Sequence, residues 1–298
     1  MQKLHLGAAQ CALDLGDGSE RAEYVNQDYI LHKLGRPHRA IGIMYTYYPH
    51  DKQWPQRISK ACKDMNITFQ WDYPYDDYFP FNADGQPWEQ MRDIRRHGQD
   101  VALTLTLDCS LSDDELREVA RMLRPYGRMT IRINHECAGT WFTHNKRFTY
   151  EQVGKFFAHF SDIIHQEAPN VRTVFCAGFA QADGKLEKED EFAVAYRAAD
   201  VWSADCYLAL HYGWPYDVAE VGGGQYKADS VGMYYDMFRR TYERASSQFG
   251  CKPLVTAEFN TDGDVTGPRH QGESVIRFAE TFRDHKACLL YTSDAADE

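Results

Sequence analysis

Apolar residues along this chain switch repeatedly between two spacings. Over residues 129–134, Met129, Ile131 and Ile133 alternate with Thr130, Arg132 and Asn134, the period of two that a strand imposes because successive side chains point to opposite faces. Residues 101–108 alternate in the same way. The spacing then turns helical: Val153, Phe156, Phe157, Phe160, Ile163 and Ile164 share one face, and Thr149 with Gln152 supplies the capping signal in front of them. Ser112 with Glu115 caps a second stripe, Leu116, Val119, Ala120 and Leu123, which runs to Gly127. Taken in order, the pattern predicts strands at 4–10, 39–48, 67–74, 101–108, 129–134, 171–179, 201–208 and 254–259, with a further one beginning at 287–291. Helices are predicted up to Gly35, at 53–64, 88–97, after Ser112, after Thr149, and at 185–197, 230–249 and 273–285.

Strands alternating with helices over the whole length predict a parallel sheet. Nearly every strand ends in polar or aromatic residues, the pattern of an α/β chain folded as a (β/α)₈ TIM barrel whose strand C-termini build the active site. The rival, a doubly wound nucleotide-binding sheet, needs a Gly-rich turn after an early strand. Neither G-x-G-x-x-G nor a P-loop motif is present, and the glycines at 222–224 follow a polar loop. At 298 residues a single barrel fits: residues 1–287 are expected to form it. Residues 288–298 are expected to hold a partial last strand and a non-native tail, since 290–298 resemble translated sequencing-adapter read-through, so the eighth β/α unit is expected to be truncated. In an eight-stranded register, 101–108 is then one strand too many.

Composition narrows the chemistry. Lys and Arg number 33 against 44 Asp and Glu, a net charge of −11, which argues against nucleic acid or an anionic membrane as partner. No apolar run reaches transmembrane length, and residues 1–30 lack the basic and apolar regions of an export signal. The expected location is extracellular if a natural N-terminus is missing here and cytoplasmic otherwise. Eight cysteines without a C-x-x-C pair predict buried free thiols rather than a disulfide framework or zinc site. The 19 Tyr, 16 Phe and 6 Trp matter more, because several stand at strand ends, Tyr45, Trp71 and Trp214 among them, and aromatic faces suit the C–H faces of sugar rings.

Two glutamates stand where strands give way to loops: Glu136 after 129–134 and Glu258 at the end of 254–259. Between them lies room for three further β/α units, which places them across the barrel mouth from each other. Two carboxyls about 5 to 5.5 Å apart in such a mouth can cleave a glycosidic bond by double displacement. One must hold a proton for the leaving oxygen; the other needs donors, for which Arg132 and Tyr207 are candidates. Adjacent His135 and Glu136 cannot both readily reach one ion and no H-E-x-x-H follows, so no metal and no cofactor are expected.

The run Arg-Ile-Asn-His-Glu-Cys-Ala-Gly-Thr-Trp-Phe over 132–142 resembles the Arg-x-x-His-Glu-x-Asn-Gly-x-Trp-Tyr/Phe signature of glycoside hydrolase family 26, barrel enzymes that cleave β-mannans and some β-glucans or β-xylans with retention. The Lys-Leu-Gly-Arg-Pro at 33–37, Ile-Thr-Phe-Gln-Trp at 67–71, Asp-Cys-Tyr at 205–207 and Thr-Ala-Glu-Phe at 256–259 follow in the family's order, so the resemblance spans about residues 4 to 285. It implies Glu136 as acid/base, Glu258 as nucleophile, Tyr207 as the phenol orienting the nucleophile, and Arg132, His135 and Trp141 around the −1 sugar. Trp71 and Trp214 are the further candidate sugar platforms, and Asp205 is expected to be a structural hydrogen-bonding residue. Ala138 replaces the motif's Asn, and the Phe-Cys-Ala-Gly at 175–178 departs from the family's Trp-x-Pro-Asn. The expected activity is that of a monomeric retaining endo-β-glycosidase on a polysaccharide, β-1,4-mannan first, with β-1,3-1,4-glucan, β-1,3-xylan or a non-catalytic carbohydrate-binding barrel as the alternatives.

Overall fold

Parallel strands buried on both faces carry the structure, a computed structural model that describes residues 26–35, 38–51, 86–139, 147–208, 230–260 and 268–284. In chain order the described elements are α1 (Gln27–Leu34), β1 (Ala40–Tyr47), α2 (Gln86–Arg96), β2 (Asp100–Leu107), α3 (Asp113–Leu123), β3 (Met129–Ile133), α4 (Tyr150–Glu167), β4 (Val171–Phe179), α5 (Ala193–Ala198), β5 (Val201–Tyr207), α6 (Ser230–Phe249), β6 (Leu254–Val255), β7 (Phe259–Asn260) and α7 (Pro268–Asp284). Every described pairing is parallel and follows chain order from β1 to β6, with β7 also beside β5. This is the β/α architecture of a (β/α) barrel. The predicted strands 4–10 and 67–74 and the tail after 287 lie outside the described residues.

Both capping boxes form. Ser112 accepts from the Glu115 N–H while Glu115 reaches back to Ser112 N, and Thr149 and Gln152 do the same for α4. The stripe of α4 packs on the sheet through Phe157, whose ring lies 4.7 Å from that of Phe175 on β4. Phe175 meets Phe192 and Tyr196 edge-on beside α5. One face of the strands is apolar in this way, with Ile41, Ile43, Leu103, Leu105, Ile131 and Trp202 buried. The opposite face carries Thr104, Arg132, Cys176, Ser203 and Asp205, which bond to one another or to the backbone near Glu258.

Three outcomes differ from the sequence pattern. First, β1 pairs with β2 over its full length, from Ala40↔Asp100 to Tyr47↔Leu107. Residues 101–108 therefore take the place in the sheet directly beside β1. Second, the predicted strand 254–259 is interrupted. β6 and β7 both pair with β5, but Ser203↔Val255 and Cys206↔Phe259 leave three residues, 256–258, opposite two. Third, 185–197 is helical only from Ala193, because Lys188 takes a left-handed φ of 49° and the carboxylates of Glu187 and Glu189 turn inward onto Phe179 N and Leu186 N.

β4 carries a matching irregularity, since Cys176↔Ser203 and Phe179↔Asp205 set residues 177–178 against Ala204 alone. Both neighbours of β5 thus hold one extra residue beside Asp205. Such bulges re-aim side chains and bend the strand that holds them.

Candidate active site

The site starts from the way β3 ends. Asn134 and Glu136 both adopt φ 49°, a left-handed conformation that costs on the order of 1 kcal/mol or more outside glycine. Hydrogen bonds hold them there. Asn134 Oδ1 takes the N–H of Leu107 at 2.7 Å, replacing the backbone acceptor that β3 no longer offers to β2. Glu136 N donates to Cys176 O at 2.8 Å and Ala138 N to Ala177 O at 2.8 Å, so the turn is strapped to the bulge of β4. Its Ala138, in the position where the resembled motif has Asn, is buried, and Tyr150 donates to its carbonyl at 3.0 Å.

The second glutamate is set by the gap between β6 and β7. There Ala257 N donates to Ser203 Oγ at 3.1 Å and Glu258 N to Asp205 Oδ1 at 3.0 Å, while Cys206 N donates to Glu258 O at 2.9 Å. Side chains of β5 thus replace the ladder acceptors that the bulge removes, and the Glu258 carboxylate is left a quarter exposed (24%) in a site otherwise buried.

Arg132 joins the two halves. Its Nε donates to Thr104 Oγ1 at 3.0 Å, its Nη2 to Glu258 Oε1 at 2.6 Å, and its Nη1 lies 3.5 Å from Asp205 Oδ1. Three strand spacings separate β3 from the interrupted strand, about 14 Å in a flat sheet. The sheet must therefore curl with these residues on its concave side, as in a barrel. One carboxylate oxygen from each of Glu136, Asp205 and Glu258 lies within 4.8 Å of one from each of the others. His135, 1% exposed, places Nε2 3.8 Å from Glu258 Oε1.

Burial shapes the electrostatics. It raises the Asp205 carboxyl first, Glu258 raises it further, and Arg132 and hydrogen bonds from Glu136 and Cys176 pull it back, leaving it pushed up to about 7. Glu136 and Asp205 lie close enough to share a hydrogen bond, and two carboxyls in such contact titrate as a pair rather than singly. Burial also works against the Arg132 charge, but Glu258 and Asp205 outweigh it and push its pKa up. Among the described residues, Glu136, Asp205 and Glu258 form a group that could hold a metal ion; Arg132 already supplies a positive charge there.

The structure thus brings Glu136, Glu258, Arg132 and His135 together. Tyr207 closes β5 in register with Asn260. Its phenol, with Trp71, Trp141 and Trp214, lies outside the described residues. Asp108, a strand-end acid, is committed elsewhere: it accepts from Arg147 at 2.8 Å and from Ser110 N at 3.0 Å. Sequence reasoning underrated Asp205 and passed over Cys176, whose thiol sits 3.3 Å from Asp205 Oδ2. Period two alone gave a signal for both, since each falls on the inward side of its strand.

No family model and no curated protein matches the sequence. Solved structures that it resembles include a GH26 β-mannanase from Bacteroides ovatus, 12% identical, with 75% of this chain and 63% of that chain covered at a TM-score of 0.44. Another is the Ignisphaera aggregans GH53 catalytic domain, 13% identical over 94% of this chain and 79% of that one, TM-score 0.48. A third is an exo-β-1,4-mannosidase from Opitutaceae bacterium strain TAV5, 12% identical over 89% and 47%, TM-score 0.47. The chain spans less than two thirds of the length of the first of these.

Proposed function

We propose that this chain is a retaining glycoside hydrolase acting on a β-linked polysaccharide, β-1,4-mannan first among the candidates, with Glu136 as acid/base and Glu258 as nucleophile. The observation that carries the reading is the convergence of Glu136 and Glu258, with an oxygen of each within 4.8 Å, at the ends of strands three positions apart in a curled sheet. That spacing suits direct attack on the anomeric carbon and is short for an inverting pair with a water between them. Glu136 delivers the proton it shares with Asp205 to the glycosidic oxygen as Glu258 attacks C1, giving a glycosyl ester and a free alcohol. Glu136 then takes a proton from water, whose oxygen attacks C1 and frees the Glu258 carboxylate. Arg132 is the counter-ion of the nucleophile and orients its attacking oxygen.

The test combines turnover with trapping. Reducing-sugar release is measured on mannan, glucomannan, mixed-linkage β-glucan and β-1,3-xylan, and the enzyme is incubated with 2-deoxy-2-fluoro glycosyl fluorides of the matching sugars. A covalent adduct mapped by mass spectrometry to Glu258 is expected, and Glu258→Gln should form none and fall to background turnover, since an amide is no anionic nucleophile. An adduct on any other residue, or no activity on the panel, sinks the reading.

A further inference from the structure

Cys176 stands on the inward face of β4, at the start of the bulge, with two links to the catalytic centre. Its carbonyl accepts the N–H of Glu136 at 2.8 Å, and its thiol lies 3.3 Å from Asp205 Oδ2. A second acceptor, Gly178 O, lies 3.6 Å from the same sulfur, where the bulge turns that carbonyl toward the thiol. A thiol has one proton to give, so its bond to Asp205 competes with its bond to Gly178. The groups that face Asp205 are Arg132 from β3, Glu136 and, through Glu258, His135 from the turn after it, Cys176 from β4, and Glu258 from the interrupted strand.

We propose that Cys176 is a positioning residue for the acid/base carboxyl: by donating to Asp205, its thiol favours the arrangement in which the proton shared by Asp205 and Glu136 rests on Glu136. The thiol bonds more strongly to an Asp205 anion than to the neutral acid, so it weights the pair toward a protonated Glu136, the form that a leaving oxygen can use. When Asp205 is protonated the thiol turns to Gly178 O. The thiol itself stays protonated, because burial and then the Asp205 charge disfavour its anion. This inference rests on the glycosidase reading for its kinetic consequence and on the thiol–Asp205 bond alone for its spectroscopic one.

Cys176→Ala removes the donor and keeps the carbonyl. In wild type the bond stabilises the state with its proton on Glu136 and the fully deprotonated pair more than the state with its proton on Asp205. Without it, kcat on the polymer should fall about tenfold across the plateau while KM changes less than about twofold, and the upper limb of the pH profile should move to higher pH. Cys176→Ser, which keeps a hydroxyl donor, should recover most of the loss and guards against a folding defect in the alanine variant. The S–H stretching band, assigned as the wild-type minus Cys176→Ala difference, should shift as pH is raised through the Asp205 titration and should stop shifting in Asp205→Asn. A band that ignores pH, or a Cys176→Ala with wild-type kcat and pH profile, overturns the proposal. Wild type inert toward every glycan while the band still shifts sinks the glycosidase reading and with it the kinetic role, leaving the thiol–Asp205 bond established.

Discussion

At the scale of single residues, the site separates two carboxylates by what surrounds them. Glu136 is buried to 6% exposure and hydrogen-bonded to another acid; Glu258 is more open and bound to a guanidinium. Such a contrast supports the proposed roles, Glu136 as proton donor and Glu258 as nucleophile. It predicts distinct failures. Glu136→Ala should lower turnover of a polysaccharide by roughly 10² to 10⁴, the range that one general acid/base contributes, yet spare formation of the glycosyl-enzyme from an aryl glycoside whose leaving group departs unaided. Azide, small enough to enter the space and needing no deprotonation, should then restore the second step and yield a β-glycosyl azide. Product analysis checks this: an α-azide, or no rescue at all, argues against Glu136 as the base of a retaining pair.

At the scale of elements, both strands beside β5 gain one residue at the level of Asp205, and side chains take over the hydrogen bonds that the slipped ladders lose. On β4 the bulge depends on Gly178. Its φ of 154° is one that other residues seldom adopt, and a Cβ there would clash with Glu187 Oε2, the oxygen that accepts the N–H of Phe179 at 2.7 Å. Gly178→Ala should therefore cost about 2 kcal/mol or more by displacing Glu187 and loosening the carbonyls of Cys176 and Ala177 that hold the Glu136 turn. In a double-mutant cycle by denaturant unfolding, Glu187→Ala should recover part of that loss, since the clash ends with the side chain. Strict additivity would show that the bulge does not turn on this contact.

At the scale of the whole molecule, an apolar layer between sheet and helices holds the fold, whereas the concave side is polar and holds charge. That charge has a cost that depends on pH. The Asp205 carboxyl is raised from its ordinary 3.8 to about 7, first by burial and then by Glu258. The sign follows: a raised group contributes stability that is fully present below the unfolded value and lost as pH climbs through the folded one. Melting temperature should accordingly decline between about pH 4 and 7 from this residue. Asp205→Asn, with no proton to lose, should gain on wild type across that window when both are followed by calorimetry. A melting-temperature difference flat in pH would mean that the site does not resist the Asp205 anion.

By itself the sequence determined whatever depends on near neighbours. The capping boxes at Ser112 and Thr149, the stripe of α4 and the alternation of β3 are local patterns, and each forms as read because a cap or an amphipathic face is satisfied within a few residues. Glu136 and Glu258 were legible as strand-end acids for the same reason. Tertiary structure alone decided which strands adjoin, since parallel pairing links distant segments and leaves no local mark: residues 67–74 read as extended no less than 101–108 do, yet β1 lies against β2. It alone decided the two bulges, because a slip of register is defined only against the partner strand. And it alone placed Asp205 and Cys176 beside the two glutamates, where burial and hydrogen bonds that no spacing along the chain encodes set their surroundings.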